Sequence, residues 1–573
     1  MKHWIWLAGI LGLSIAAIVI SEQRKVDVPA SPAAVLYLVA DTEQELTRMP
    51  VNFTHISDEE EIRIGNELAK MYGSPDEDKN RAEVGVVERY LTQVGGVLAA
   101  HAHRKLPYRF HYVPNENMIN AFALPGGHVY VGAGLLELMD SEDELAAVLG
   151  HEIEHIDHYH CAERAQQEEA LRRIPLGGLV AIPIFVFEAG YSKDQELEAD
   201  REGTKLAVEA GYSANGAIRM FEAFNRMYER YRAQRARANS PQEELSDVAM
   251  QTLEGYFRSH PLPAERIAQV QKMIASEGWP VKSERDLAVA YIFWTERAQS
   301  AMNEKKYSEA EQLASRSLKM HPDQTEAWDV LARAEFAQAK FVDAAGSYRS
   351  LLEKDPRRLA AVEGYAIALA AANRQNAANE FRRWLESVRG AEPRNAQVEQ
   401  AGLSLLAGDS SAAHKFEDEL RLGGDQQAPD YLGTLGWWYY MAGDNERAAH
   451  LLDEVVQQRP ADVKLWMYRA WVEIEIKRFS DAIQTVNNGV WTSTGMYQEH
   501  PDGERAMAQA VAFWQANEAD SAMGDFDRAV AGQPEWLNPQ WVKALYSPLV
   551  AQSVEQMKAE RERRKKERMA ERR

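Results

Sequence analysis

The spacing of apolar and polar residues divides the chain into four parts. An apolar run at Trp4–Ile20 comes first, and a linker that contains several prolines follows over residues 22–55. Residues 56–276 mix helical periodicity with an alternating stretch at Tyr108–Val113, which predicts a strand. From about residue 286 onward only helical periodicity remains. The pattern therefore predicts an α+β fold that is mostly α, with a mixed domain followed by an all-helical one.

The helical part carries an internal repeat. Trp294 and Trp328 are 34 residues apart, and alanines and prolines recur at the same interval. This is the period of tetratricopeptide helix–turn–helix units. We predict such repeats over 286–390 and 430–535, stacked into an α-solenoid whose groove binds a protein partner. Residues 391–429 keep helical character but lose the phase, so they are either a degenerate repeat or a linker.

The apolar run at the N-terminus predicts export. Its 17 residues are at the lower limit for a membrane span and long for the core of a signal peptide. We favour an inner-membrane anchor within residues 1–21 over a cleaved signal peptide. In both cases the body of the protein is expected in the periplasm.

Charge and cysteine content narrow the possible partners. The formal net charge of −22 argues against a nucleic-acid partner, because phosphate binding needs clustered Lys and Arg. The basic tail at 550–573 is either a solvated helix or a contact for anionic lipid or an acidic partner. The single cysteine, Cys161, excludes an intramolecular disulfide.

The stretch "HEIEHIDHYH", residues 151–160, carries the strongest chemical signal. Ser141 and Glu144 form the pattern of a capping box, which predicts that a helix begins there. On that helix His151 and His155 are four residues apart and lie on one face, with Glu152 beside them. In this H-E-x-x-H pattern the histidines bind zinc and the glutamate is the general base.

The remaining polar residues of this stretch are predicted to have other roles. His158 lies about 10 Å along the helix from His151, too far to share a tetrahedral ion, so we predict a histidine that lies at the surface or supports the metal ligands from outside. His160 turns toward the apolar stripe and is predicted to be a packed, hydrogen-bonded core residue. Glu154 and Asp157 are expected to face solvent.

A third metal ligand has to come from another segment. In "DQELEADREG", Glu196 and Asp200 are four residues apart on a predicted helix, and Glu198 faces the other way. Glu196 would suit a metal ligand, and Asp200 would accept the second ring N–H of a ligating histidine. Acids at this spacing also mark ordinary solvated helix faces, so the spacing alone leaves both interpretations open.

Four motifs in order resemble one known family. "NAFALPGGHVYV", "EDELAAVLGHEIEH", "ELEAD" and "HPLPAERI" are similar to the HtpX/BepA-type zinc metallopeptidases, the family that also includes the CAAX prenyl proteases. The resemblance covers about Ile56–Ile274. Together with the N-terminal export segment and the C-terminal repeats, it points to the BepA-like branch.

The resemblance implies a zincin-type metallopeptidase domain with one Zn²⁺ per chain. It places the ion on His151, His155 and Glu196. It assigns the general base to Glu152, and Asp200 corresponds to the aspartate of the family's E-x-x-x-D motif. The implied activity is that of a zinc metalloendopeptidase.

Several further residues are candidates for substrate contact. His260 is predicted either to donate to the oxyanion or to occupy the fourth zinc position, and Arg266 is a second candidate donor. Met118–Leu124 reads as a strand whose edge would bind an extended peptide by strand addition, with Asn120 as a polar contact. The apolar segment Ile174–Tyr191 is either a buried hairpin or helix, or a hydrophobic lid that faces the membrane.

These features predict an exported endopeptidase for quality control in the cell envelope. Its substrates would be unfolded or misassembled envelope proteins, and its repeats would bind the substrate or a partner. The alternative is a chaperone or assembly adaptor that acts through the repeats with little proteolysis. The intact glutamate of the H-E-x-x-H motif argues against that alternative, since a purely structural zinc site needs no base.

Overall fold

The computed structural model describes two compact units, Met1–Leu287 and Ala288–Arg573. The described residues are 57–71, 82–115, 118–163, 191–235, 263–279, 282–388, 390, 393–424, 426–494 and 503–571. The N-terminal apolar run, the linker to residue 55, the apolar stretch up to residue 190 and His260 lie outside them. No helix in the described part of the chain combines the length and the apolar character of a membrane span.

The first unit surrounds a small sheet with helices. Its elements are α1 (Asp58–Met71), α2 (Ala82–Ala99), β1 (Arg109–Val113), β2 (Ala121–Leu124), β3 (His128–Gly132), α3 (Ala133–Leu136), α4 (Glu142–Asp157), α5 (Lys193–Glu209), α6 (Asn215–Arg235) and α7 (Pro263–Glu277). Both predicted strands are present, although the second begins at Ala121 rather than at Met118. The unit contains both helices and strands, which confirms the predicted α+β class.

The sheet has the strand order β1-β3-β2. β1 runs parallel to β3, and β2 is antiparallel to it, with Ala121 opposite Val131. A glycine turn joins β2 to β3, and both Gly126 and Gly127 have positive φ angles, 77° and 105°. A side chain at Gly126 would also meet the backbone of Ile62 at 2.6 Å, so the turn needs glycine there. By the strand order, β2 is an outer strand of this sheet in the described part of the chain.

Helix α4 passes through the middle of the first unit. The Ser141 side chain accepts a hydrogen bond from the Glu144 backbone N–H at 3.2 Å and caps the helix, as predicted. The Glu144 carboxylate accepts from the N–H of Asp140, one residue before the expected partner. Helices α2, α5 and α6 and strand β2 all pack against α4.

The prediction that Glu154 and Asp157 face solvent is wrong. Their exposed fractions are 2% and 7%, because other elements cover α4 on all sides. The Asp157 carboxylate accepts hydrogen bonds from the backbone N–H groups of His103 and Arg104, at 3.0 and 2.6 Å. Asp157 thus fixes the loop that precedes β1. Burial also raises the pKa of the Glu154 carboxyl group to about 8.

The second unit is a stack of helix pairs. Its helices are α8 (Ala290–Asn303), α9 (Tyr307–Met320), α10 (Thr325–Ala337), α11 (Phe341–Lys354), α12 (Leu359–Asn373), α13 (Ala377–Ser387), α14 (Asn395–Leu406), α15 (Ser411–Leu422), α16 (Ala428–Ala442), α17 (Asn445–Gln458), α18 (Val463–Glu475), α19 (Phe479–Thr494), α20 (Gly503–Gln515), α21 (Ala519–Gly532), α22 (Pro539–Leu545) and α23 (Pro548–Glu571). The alanines that share the 34-residue period lie in the core; Ala310, Ala344 and Ala448 are each 0% exposed. Small side chains there let neighbouring helices approach closely.

The segment that loses the repeat phase is also helical. Helices α14 and α15 pack against each other, and α14 packs against both α12 and α16. The stack of helices therefore continues through residues 395–422, which favours the degenerate repeat over the linker. The basic tail is helical as far as Glu571, within α23.

The first and last parts of the repeat stack touch each other. The Tyr307 hydroxyl on α9 donates to the Glu535 carboxylate at 2.8 Å, and the Lys305 ammonium group donates to the carbonyl of Ala531 at 2.8 Å. Beyond α21 the chain adds a turn of 3₁₀ helix, then α22 and α23. Tyr546, between these two helices, packs against Trp536 with ring centroids 4.6 Å apart and an interplanar angle of 40°.

A buried carboxyl group in the repeats makes their stability depend on pH. Glu399 on α14 is 2% exposed and accepts a hydrogen bond from the Trp438 indole N–H at 2.9 Å. Burial raises the pKa of Glu399 from 4.5 to about 8, and the charge of Glu363 acts in the same direction. The folded state therefore holds the proton more tightly than the unfolded state, so its stability falls as pH rises from about 4.5 to about 8.

Substitution of Glu399 by glutamine is expected to remove most of this dependence. The amide keeps an acceptor for Trp438 and cannot ionise. The free energy of unfolding of the variant should therefore exceed that of wild type by about 2–4 kcal/mol at pH 8 and by little at pH 5. Urea unfolding of the repeats at the two pH values measures the difference. The exposed Glu419, changed to glutamine, is the control and should behave as wild type. An equal gain from Glu399→Gln at both pH values would contradict the prediction.

Candidate metal centre

The two histidines of the H-E-x-x-H motif converge in the C-terminal half of α4. Their Nε2 atoms are 3.1 Å apart, with His151 6% and His155 0% exposed. The geometry follows from the helix, since residues four apart lie one above the other on the same face. The apolar neighbours Leu149, Ile153 and Ile156 are each 0% exposed and anchor the helix in the core.

Helix α5 brings a carboxylate to the same point. Glu196 is 0% exposed, and its oxygen atoms lie 3.5 Å from Nε2 of His151 and 3.5 Å from Nε2 of His155. A capping box formed by Ser192 and Gln195 fixes the first turn of α5, which contains Glu196. The carboxylate therefore does not belong to a solvated helix face.

The three donor groups fit a tetrahedral metal ion. One atom from each of His151, His155 and Glu196 lies within 4.8 Å of the others. With metal–nitrogen bonds near 2.0–2.1 Å, two ligand atoms on a tetrahedron are about 3.3 Å apart. The observed separations of 3.1 and 3.5 Å bracket that distance. Among the described residues, two imidazoles and one carboxylate supply three ligands, which leaves the fourth position of a tetrahedral ion for water or another group, as in catalytic sites.

The electrostatics of the cluster favour a positive charge. Burial lowers the pKa of His151, but the carboxylates of Asp200 and Glu196 outweigh burial and raise it to about 10. Two buried carboxylates therefore stabilise a cation at this place in the fold. A metal ion would supply that charge and leave the imidazoles neutral, which is the form that binds a metal.

Asp200 contacts the ring nitrogen of His151 that points away from the other two ligands, and Arg266 contacts Asp200. The Nδ1 atom of His151 is 2.9 Å from an Asp200 carboxylate oxygen. Asp200 in turn accepts hydrogen bonds from Nε and Nη2 of Arg266 at 2.6 and 2.5 Å, and the guanidinium lies 4.2 Å from the ring centroid of Phe221. Burial raises the pKa of Asp200, but Arg266 and His151 outweigh burial and lower it, so the carboxylate stays charged.

This arrangement fixes how His151 is used. A proton on Nδ1 that is donated to Asp200 leaves the Nε2 lone pair for a metal, which is the role predicted for Asp200. Arg266 is 1% exposed and directs two of its nitrogen atoms at Asp200. The geometry favours a supporting role for Arg266 over the substrate contact predicted for it.

A close contact between two glycines sets the distance between α4 and α5. A side chain on Gly150 would meet the carbonyl oxygen of Gly203 at 2.7 Å, and one on Gly203 would meet the backbone nitrogen of His151 at 2.7 Å. The helices can therefore reach this separation only with glycine at both positions. These two glycines were not predicted from the sequence. Gly203 was nevertheless a detectable signal, because it lies inside a predicted helix, three positions after Asp200, where glycine is unfavourable without a packing reason.

Glu152 is buried next to the histidine pair. It is 4% exposed, and burial raises its pKa to about 7; the neighbouring Glu196 acts in the same direction, while His151 and Arg266 oppose it. A carboxylate with a pKa near neutrality suits proton transfer at physiological pH.

The other predicted residues occupy varied positions. Asn120, directly before β2, is 9% exposed, and its Oδ1 atom has no hydrogen-bond partner among the described residues; its contact with substrate stays a prediction. His158 is half-buried with Nε2 3.2 Å from Glu154, whereas His160 is buried and lies beside His155. His260 is outside the described residues, so neither of its two predicted roles is tested.

An H-E-x-x-H helix with a glutamate ligand from a second helix defines a class of metallopeptidase domains. Residues 86–274 match the model of peptidase family M48, and residues 295–357 and 434–489 match the model of the tetratricopeptide repeat. The chain therefore carries an M48 peptidase domain followed by C-terminal tetratricopeptide repeats. This confirms the family and the fold class predicted from the sequence.

Three curated relatives illustrate the similarity. A Vibrio cholerae protein called putative beta-barrel assembly-enhancing protease is 34% identical over 205 residues, which are 32% of this chain and 38% of the relative. The beta-barrel assembly-enhancing protease of Escherichia coli K12 is 26% identical over 207 residues, with the same coverage. Bovine mitochondrial metalloendopeptidase OMA1 is 36% identical over 119 residues, 17% of this chain and 23% of the relative. The chain thus matches less than two fifths of the length of each.

Proposed function

We propose that this protein is a zinc-dependent endopeptidase that cleaves unfolded or misassembled proteins of the cell envelope. The observation that carries the proposal is the convergence of His151, His155 and Glu196 beside the buried carboxyl group of Glu152. The names of the beta-barrel assembly-enhancing relatives support the envelope setting. The proposal includes export, with the repeats binding substrate or a protein partner.

The chemistry follows from the donor set and from Glu152. A bound zinc ion would polarise the peptide carbonyl and lower the pKa of a water molecule to about 7. Glu152 takes the proton of the attacking water and delivers it to the nitrogen atom of the leaving amine. Asp200 keeps His151 in the tautomer with a free Nε2 atom, and the carboxylate of Glu196 completes the ligand set.

The sheet supports an extended substrate. β2 is an outer strand of the sheet and packs against α4, which carries His151 and His155. A peptide that adds to such an edge pairs through its main chain, so selection by side chains is weak. Such pairing requires an unfolded segment, which fits unfolded or misassembled proteins as substrates.

Metal removal and restoration test the proposal. We expect a chelator to abolish cleavage of a reduced, unfolded protein by the full-length chain, and stoichiometric zinc to restore it, because a zinc ion held by His151, His155 and Glu196 would supply the Lewis acid. Cleavage is measured by the appearance of new peptide termini, with magnesium as the control ion. Undiminished cleavage after metal removal would overturn the proposal. Binding of the unfolded protein without cleavage at any zinc concentration would favour the adaptor alternative.

A further inference from the structure

The second nitrogen atom of His155 faces another histidine. Nδ1 of His155 lies 3.1 Å from Nδ1 of His160, and the two residues are 0% and 4% exposed. An imidazole that binds a metal through Nε2 carries its proton on Nδ1, and that N–H needs an acceptor. In this fold Nδ1 of His160 is placed to be that acceptor.

A carboxylate selects the tautomer that makes His160 an acceptor. To accept at Nδ1, a neutral imidazole must carry its proton on Nε2. Nε2 of His160 lies 3.5 Å from a carboxylate oxygen of Glu198, which accepts and cannot donate when ionised. The donor direction therefore runs from His155 to His160 and from His160 to Glu198.

An uncommon backbone conformation places His160 at this position. α4 ends at Asp157, Tyr159 has a φ of 63°, and helical conformation resumes at His160. A positive φ is uncommon for a residue other than glycine and costs about 1–2 kcal/mol. The turn brings the His160 ring back beside the helix that precedes it.

The surroundings stabilise this turn and the ring of His155. The guanidinium of Arg104 lies 3.8 Å from the ring centroid of Tyr159, and the Arg104 backbone N–H donates to Asp157. On another side, the ring of Tyr191 stacks on that of His155 with centroids 3.7 Å apart and an interplanar angle of 18°. The turn and the stacking together determine where Nδ1 of His155 points.

We propose that His160 is a positioning residue for the metal ligand His155, and that Glu198 orients His160. The two metal-binding histidines would then be supported differently. His151 donates to a carboxylate held by a guanidinium, whereas His155 donates to an imidazole held by a carboxylate. The inference rests on the proposed function, because it takes Nε2 of His155 as a ligand of bound zinc.

Zinc affinity of the full-length protein tests this inference without reference to cleavage. His160→Leu removes the acceptor and is expected to weaken zinc binding about 10- to 100-fold in competition with a chromogenic chelator. His160→Asn keeps an oxygen atom near the position of Nδ1 and should recover affinity to within about threefold of wild type. His158→Leu is the matched control, since His158 also lies near Glu198 but contacts no ligand, and it should bind zinc as wild type does.

Cobalt substitution gives a second measure. The visible absorption of bound Co²⁺ reports ligand geometry, so it should change in His160→Leu and return toward the wild-type spectrum in His160→Asn. Glu198→Ala, at a partly exposed position, should weaken zinc binding about 3- to 10-fold in the wild-type background. It should have little effect in His160→Asn, because the amide does not depend on a tautomer.

The outcomes separate the two proposals. If wild type binds no zinc, the proposed function fails. If Asp200→Ala weakens zinc binding but His160→Leu and Glu198→Ala bind as wild type does, the positioning role is overturned and the metal site stands. Should His160→Leu fail to fold, the affinities of Glu198→Ala in the two backgrounds decide the question.

Discussion

Replacement of Glu152 by glutamine is expected to lower kcat/KM for an unfolded protein by about 10²- to 10⁴-fold while zinc remains bound. The amide fills the same volume but cannot take a proton from the attacking water. Glu152 is not one of the three metal-binding groups, so its loss should leave the metal content unchanged. Zinc content by atomic absorption and cleavage rates on the same preparation give the two quantities.

The control for this prediction is Glu154→Gln on the same helix. Glu154 is 2% exposed, and burial raises its pKa to about 8, close to the value of about 7 for Glu152. Both substitutions therefore replace a buried carboxyl group that binds its proton readily. We expect Glu154→Gln to cleave within about twofold of wild type, since only Glu152 transfers a proton in the proposed reaction. Similar losses in the two variants would show that helix packing, and not proton transfer, explains the effect.

Substitution of Gly203 by alanine is expected to reduce zinc affinity at least 100-fold. The new methyl group would lie 2.7 Å from the backbone nitrogen of His151 and 2.8 Å from the carbonyl carbon of Gly150. Backbone atoms cannot move aside as a flexible side chain does, so α5 has to shift away from α4. Because Glu196 and Asp200 lie on α5, both contacts with His151 lengthen. Overpacking of this kind also costs about 1–3 kcal/mol of stability.

Gly96→Ala provides the matched control. Gly96 lies in helix α2 of the same unit, and a side chain there would meet nothing within 4 Å. The change should leave zinc affinity unaltered and raise stability by about 0.5–1 kcal/mol, because alanine is the better helix former. Calorimetric melting and chelator competition on both variants test the pair. Wild-type zinc affinity in Gly203→Ala would contradict the proposed role of the glycine contact.

The histidine pair and its base were predictable because they depend on local geometry. Residues four apart on a helix must share a face, whatever surrounds that helix. Glu196 was different, since acids at the same spacing commonly mark a solvated surface. Only the family resemblance singled it out before the structure showed it 0% exposed and 3.5 Å from both histidines.

The predictions that failed concern which elements surround a helix, and not the direction in which a side chain leaves it. The helical pattern gives the direction of Glu154 and Asp157 but not the elements that later cover that direction. Arg266 was a candidate oxyanion donor, a role that stays a prediction, and the contact that its sequence motif did not indicate is with Asp200, 66 residues away. Contacts at such separations depend on tertiary packing that no local pattern contains. For the contact between α4 and α5, the sequence shows only that Gly203 interrupts a helical pattern, and not that Gly150 lies against it.

The contact between the first and last parts of the repeat stack changes how that unit should come apart. In an open solenoid each terminal repeat has one neighbour only, and unfolding starts by fraying from an end. Here the hydrogen bonds of Tyr307 to Glu535 and of Lys305 to Ala531 give each end a second neighbour. Unfolding of either end repeat must break this junction, so the two end repeats should unfold together. The repeats should therefore resist an exoprotease or a pulling force as one cooperative unit, and should not unfold one repeat at a time from an end.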